Sequence, residues 1–354
     1  MDSLSHKKGR AAGFNPPNRF EETHLESIDI ELPDEEKSPL LTRYYRDTSR
    51  TILAKNDSPD IPFTFSLNPY RGCEHGCIYC YARPSHEYLG FSAGLDFESK
   101  IMVKTDAPAL LAETLEKRNW EPQIVALSGN TDCYQPAERK LQLTRQCLEV
   151  FLGYRNPAGI VTKNALVVRD ADILEEMAKL NIIQVLISIT TLNPDLARTM
   201  EPRTSSPANR LDAIEELAKR GIRVGVNVAP VIPGLTDEEI PAILKAASER
   251  GAQRAGYILM RLPGAVEPLF VDWVRRNYPD RAGRILNRVQ DTRRGNISDA
   301  RFGSRMKGEG EIAGAINSLF KINLRKYNYQ KTWEDLSTGH FIRSAPAQTE
   351  LFER

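Results

Sequence analysis

The stretch Arg71-Gly72-Cys73-Glu74-His75-Gly76-Cys77-Ile78-Tyr79-Cys80-Tyr81 decides how the rest of the chain is read. Three of the five cysteines fall within eight residues, spaced C-x3-C-x2-C. Three sulfurs on one short loop cannot make a disulfide framework, because one stays unpaired. Thiolates so close together suit a soft metal or an iron–sulfur cluster. Zinc would want a fourth ligand, for which His75 is the candidate. A [4Fe-4S] cluster held by Cys73, Cys77 and Cys80 would instead leave one iron open to an exchangeable ligand.

The chain outside the loop sets the bounds. Its 354 residues suffice for one large α/β barrel or two modest domains. A hydrophobic share of 41% with 27% charged residues describes an ordinary soluble protein. Net charge is +1, so attraction to nucleic acid must come from local patches. No run approaches the ~18 apolar residues of a membrane span, and the N-terminus lacks the apolar core of a signal peptide. Cysteines arranged for metal fit a reducing compartment, so a cytoplasmic protein without membrane partners is expected.

A strand is expected at Phe63 to Leu67, directly before the cysteine loop. Strands then alternate with helices. Ile124 to Ser128 is strand two, followed by one helix from Ala137 to Leu152. Gly159 to Thr162 is strand three, with a helix from Asp170 to Lys179. Gln184 to Ile189 is strand four, and Ser206 caps the next helix. Arg223 to Ala229 is strand five, Thr236 caps a helix ending at Gly251, and Ala255 to Met260 is strand six. Short apolar strands between helices imply a parallel sheet covered on both faces, here a partial (β/α)6, TIM-type barrel. The expected division is an N-terminal extension at 1–62, partly disordered, the barrel at 63–265, a helical basic-aromatic region at 266–343 and a flexible tail at 344–354.

The cysteine spacing with Tyr79 before the last thiol resembles the CxxxCxΦC signature of the radical S-adenosylmethionine (SAM) superfamily. Val161-Thr162-Lys163, Ser188-Ile189, Glu201 to Ser206 and Val228-Ala229-Pro230 extend the resemblance to the spore photoproduct lyase group, over roughly residues 63 to 305. Ser66 to Cys77 and Tyr88 to Glu98 look more like a separate bacterial branch of radical SAM proteins. The resemblance implies a radical SAM barrel with a [4Fe-4S] cluster, S-adenosyl-L-methionine and a low-potential electron donor. It implies reductive cleavage of SAM and abstraction of a substrate hydrogen. Tyr79 would pack on the adenine, and Lys163, Ser188 and the polar end of strand two (Ser128, Asn130, Thr131) would contact SAM. Glu201 and Arg203 read either as a pair beside the cofactor or as the start of a helix.

One departure bears on the chemistry. Where the lyases carry a hydrogen-donating cysteine, this chain has Gly129 in Gly129-Asn130-Thr131-Asp132. Cys133 is the substitute candidate thiol, and Cys147, in an apolar helical stripe, reads as core. Substrate class is open between nucleic acid, in repair or modification, and a protein or small molecule. A non-catalytic cluster-bearing module is the third reading.

Two C-terminal features favour nucleic acid. Asp272 to Glu309 carries nine arginines and one lysine against five acids. With Trp273, Tyr278, Phe302, Phe320, Tyr327, Tyr329 and Trp333 interspersed, residues 272–333 could bind DNA phosphates and stack on bases, or be a solvated face over packed aromatics. The tail Gln348-Thr349-Glu350-Leu351-Phe352 resembles the pentapeptide that docks bacterial repair proteins on the sliding clamp, with Gln348, Leu351 and Phe352 as anchors.

Overall fold

The computed structural model describes residues 9–20, 41–330 and 334–343. Its main sheet has seven strands. Six run parallel in chain order: Phe65–Leu67, Val125–Leu127, Ala158–Thr162, Ile183–Ser188, Val224–Val231 and Arg254–Leu259, strands one to six. The seventh, Leu53–Lys55, pairs antiparallel with strand one and forms the other edge. Helices pack on the outside. Val185, Ile187, Val224, Val226 and Val228 are essentially buried because these strands lie inside a parallel sheet. The expected six β/α units are therefore present, with bounds shifted by one or two residues.

Two helices differ from expectation for local reasons. The single helix expected from Ala137 breaks into Glu138–Leu141 and Leu143–Tyr154, with Gln142 at φ 51°. The buried Glu138 carboxylate accepts the Thr144 amide at 3.0 Å and the Tyr70 hydroxyl at 2.5 Å, so it satisfies the start of the second piece as a cap would. Thr236 does not cap its α-helix, which runs Ile240–Glu249 after a 3₁₀ turn at Asp237–Glu239. Its hydroxyl instead accepts the Ile232 amide at 2.9 Å. Ser206 does cap Pro207–Lys219, accepting from the Asn209 amide at 3.2 Å.

The residues before the barrel contribute more than an extension. Arg43–Arg46 pairs parallel with Lys100–Val103, which pairs antiparallel with Tyr70–Arg71, the step into the cysteine loop. Ala11 and Ala12 are buried, and Arg10 donates to the Glu98 carbonyl at 2.5 Å.

The C-terminal region is helical, with Val266–Asn277, Ala282–Asp291 and Gly310–Lys326. Among its aromatics Trp273, Phe320 and Tyr329 are buried, Trp273 lies 5.9 Å from Phe270, and the Tyr329 hydroxyl donates to the Leu244 carbonyl, whereas Phe302 is exposed. For these three rings the packed-aromatic reading holds, because rings that fill the core cannot also receive bases. Lys331, Trp333, Gln348, Leu351 and Phe352 lie outside the described residues.

The same region joins the two edges of the sheet. The Leu259 amide of strand six donates to the Met306 carbonyl at 2.8 Å. Next to it, Arg305 pairs with Asp60 at 2.6 Å and the Gly303 amide donates to the same carboxylate at 2.8 Å. Asp60 belongs to the connection that leads into strand one. Among the described residues no helix is long and apolar enough to cross a membrane.

Candidate cluster and cofactor site

The cysteine loop leaves the carboxyl end of strand one and is held from below by one side chain. Arg83, fully buried, donates to the carbonyls of Cys77 (3.0 Å), Gly76 (3.1 Å), Ala93 (3.1 Å) and Gly94 (2.9 Å), and pairs with the fully buried Glu98 at 2.5 Å. Five donors in a fixed fork suit a loop whose carbonyls converge. Gly76 has φ 66°, and a Cβ there would stand 2.8 Å from a Glu98 carboxylate oxygen, so the loop requires glycine at this point. From the side of strand two, Gln135 accepts the Glu74 amide at 3.0 Å and donates to the Gly72 carbonyl at 3.1 Å.

All three cysteines are free; Cys73 and Cys77 are buried and Cys80 is partly exposed. Burial pushes the Cys73 and Cys77 thiols well above their ordinary pKa, and Cys80 upward too. Asp132 and the other two thiols add to this at Cys73. A cationic cluster taking one thiolate per iron is the partner such a donor set fits. His75 is not available as a fourth ligand. Its Nδ1 faces Asp132 at 3.3 Å and its Nε2 faces the Asn164 amide at 3.2 Å. Among the described residues no three His, Cys, Asp or Glu side chains gather around a single-ion position.

Beside the loop lies a buried charged hub. Glu201 receives the hydroxyls of Tyr79 and Thr190, the Lys163 ammonium at 3.1 Å and the Arg210 guanidinium. Lys163 also donates to Thr190 at 3.0 Å and to the Ala229 carbonyl at 2.7 Å, and stands 5.5 Å over the Tyr79 ring. Burial, helped by Arg210, pushes the Lys163 pKa down to about 7. Arg210 further donates to the Ser188 and Ser205 carbonyls, which ties strand four to the hub. Asp132 joins this hub to strand three through the Lys163 amide and the Thr162 hydroxyl, both at 2.8 Å.

The structure thus brings Cys73, Cys77, Cys80, Tyr79 and Lys163 into one neighbourhood. The remaining sequence candidates sit differently. Ser128, at φ 70°, spends its hydroxyl on the Cys133 amide at 2.8 Å. Asn130 and Thr131 both donate their amides to Asn68, and the buried Thr131 hydroxyl donates to the Tyr70 carbonyl at 2.7 Å. The Ser188 side chain is buried. Arg203 turns away from Glu201 to Thr42 (3.2 Å) and Glu74 (3.3 Å), so these two residues are not a pair. Cys133 is fully buried in the same apolar core as Cys147, which removes the reason for reading it as an active thiol. At Gly129 a Cβ would stand 2.5 Å from the Ser66 Cβ, so glycine occupies this position because no side chain fits.

The family assignment follows. A model of the radical SAM superfamily matches residues 67–247, half of the chain. The chain belongs to the radical SAM superfamily. Members use a [4Fe-4S] cluster and SAM. An uncharacterised protein of Mycobacterium tuberculosis (strain H37Rv) is 36% identical over 226 residues, 63% of this chain and 66% of that protein. One from Methanocaldococcus jannaschii is 31% identical over 175 residues, 49% of this chain and 63% of that protein. The chain thus spans just under two thirds of the curated relatives it matches. Among solved structures, spore photoproduct lyase complexed with dinucleoside spore photoproduct superposes with a TM-score of 0.55 at 17% identity, over 80% of this chain and 79% of that one. A lyase variant with bound SAM superposes with a TM-score of 0.54 at 16% identity, over 80% of this chain and 78% of that one. At this identity the likeness concerns the radical SAM fold.

Sequence reasoning pairs Glu201 with Arg203 rather than with Arg210, and it misses Arg83 and Gln135. Only the position of Arg83, three residues beyond the last cysteine, offered a signal.

Proposed function

We propose that the protein is a radical SAM enzyme acting on nucleic acid, with residues 63–265 as its catalytic unit. The observation that carries it is the set of three free, largely buried thiols on one loop locked by Arg83. Cys73, Cys77 and Cys80 would hold the cluster. Bound there and reduced by a low-potential donor, it would supply one electron to SAM, whose cleavage would yield a carbon radical able to take a hydrogen atom from a substrate. The protein's own part is to exclude water around the thiols and to fix the loop through Arg83 and Gln135. Lys163 places an amine with a pKa near 7 between Tyr79 and Glu201. Support for a nucleic-acid substrate comes from the likeness to a lyase whose structure holds a dinucleoside photoproduct. Dimer reversal through a thiol at position 129 is not part of this reading, since Ser66 leaves no room for one.

The test is anaerobic reconstitution of wild-type and Cys73→Ala protein, with iron and sulfide counts and SAM cleavage measured. The expected result is a full cluster and 5′-deoxyadenosine from wild type, and neither from the variant. A variant retaining both would overturn the assignment. The clamp-docking reading of Gln348, Leu351 and Phe352 is a separate proposal, tested by titrating a bacterial sliding clamp with a peptide of residues 344–354.

A further inference from the structure

Most arginines in the C-terminal third already have an oxygen partner. Arg305 pairs with Asp60, Arg301 with Asp299, Arg294 with Glu309 and Arg288 with Asp237. Arg293 is spent on the carbonyls of Leu259, Met260 and Ser304. Arg261 differs. It lies two residues beyond strand six, partly buried, at the end of the sheet from which the cysteine loop also leaves. Its contacts among the described residues are the Met306 sulfur at 3.6 Å and the ring of Tyr81 at 5.6 Å. A thioether is a weak acceptor and a ring face a partial one, so the guanidinium's hydrogen-bonding edge is left over.

Tyr81 is the residue after Cys80, is 47% exposed, and has its hydroxyl fixed on the Gly129 carbonyl at 2.9 Å. The ring therefore reaches from the end of strand two to the end of strand six and holds the guanidinium beside the cysteine loop. Burial, and then the neighbouring Arg305, push the Arg261 pKa down against the opposing pull of Tyr81 and Asp60, so an anion brought to this place would offset the net cost.

We propose that Arg261 is the anchor for a substrate phosphate, presenting two N–H groups to the phosphodiester of a single-stranded nucleic acid while its charge stays over the Tyr81 ring. The fork of a guanidinium matches two phosphate oxygens, and the ring face attracts the cation. This rests on the nucleic-acid reading above and adds where the backbone is gripped. One phosphate held there would bring the adjoining nucleotide beside Cys80.

The experiment is equilibrium binding of a fluorescently labelled single-stranded deoxyoligonucleotide to the anaerobically reconstituted full chain, across a range of potassium chloride concentrations. Arg261→Gln is expected to weaken binding about tenfold and to lower the steepness of the log–log salt slope by about one. Arg261→Lys, which keeps the charge and loses the fork, is expected to recover the slope and only part of the affinity. Arg301→Gln is expected to match wild type. Iron content and melting temperature of each variant show that the fold is kept. Equal affinity and slope for wild type and Arg261→Gln would overturn the anchor and leave the nucleic-acid reading standing. No measurable binding by wild type would overturn both.

Discussion

Arg83, under the cysteine loop, and Arg301, in the C-terminal region, put the same guanidinium in opposite surroundings. Arg83 is wholly buried, meets four loop carbonyls and pairs with a carboxylate that is also wholly buried. Arg301 is half exposed and pairs with Asp299 two residues away. Both belong to stretches rich in charge, yet only the first has its charge committed to holding backbone. The difference teaches that arginine density says little about ligand binding until each partner is counted. In the C-terminal region the counting mostly removes the arginines from consideration, and beside the cysteine loop it explains why they are there.

The strongest test of this contrast is Arg83→Met. It removes the buried ion-pair partner of Glu98 and leaves the Ala12 amide on that oxygen, and a loss of about 3–5 kcal/mol is expected in urea unfolding. A loss below about 1 kcal/mol would mean that the loop is not held by this residue. Gly129→Ala comes next. The new methyl would meet Ser66, and relief of that overlap is expected to cost about 1–3 kcal/mol, read as a lowered urea midpoint.

His86 extends the comparison to pH. Burial lowers its pKa to about 4, against a hydrogen bond to the Lys100 carbonyl that acts the other way. The unfolded chain takes up this proton first as pH falls below about 6.5, so the contribution is present above that value and is lost as pH falls toward 4. Between about pH 7 and pH 5.5 the loss from this group is about 1 kcal/mol, and His86→Phe should lack it. Identical pH dependence in the two proteins would count against a buried neutral imidazole. The smallest effect is expected at Arg301→Ala, a urea midpoint indistinguishable from wild type, because water already screens the pair.

Much of this was legible in the sequence where pattern follows from periodicity. Six apolar runs separated by helical stretches gave the parallel strands, since a strand buried on both faces has no alternative composition. Cys73, Cys77 and Cys80 stood out because three thiols on one loop have few structural uses. What escaped was every partner chosen by tertiary proximity. Glu138 interrupts its own helix because Tyr70, 68 residues earlier, reaches its carboxylate. Arg210 reaches Glu201 across a turn that no spacing rule marks. Trp273 and Phe320 read equally as a stacking surface or as packed rings because their neighbours are charged, and on an amphipathic helix charged and buried residues alternate along the chain.

The junction of Leu259 with Met306, and of Arg305 with Asp60, bears on how the protein can be divided. A strand at the rim of an open sheet offers unpaired amides and carbonyls to any other chain. Here the segment around Met306 occupies part of that rim and is fastened to the far side of the sheet. A barrel cut free after residue 265 would surrender this guard. Its tendency to self-associate through strand six then becomes the practical limit on expressing it alone.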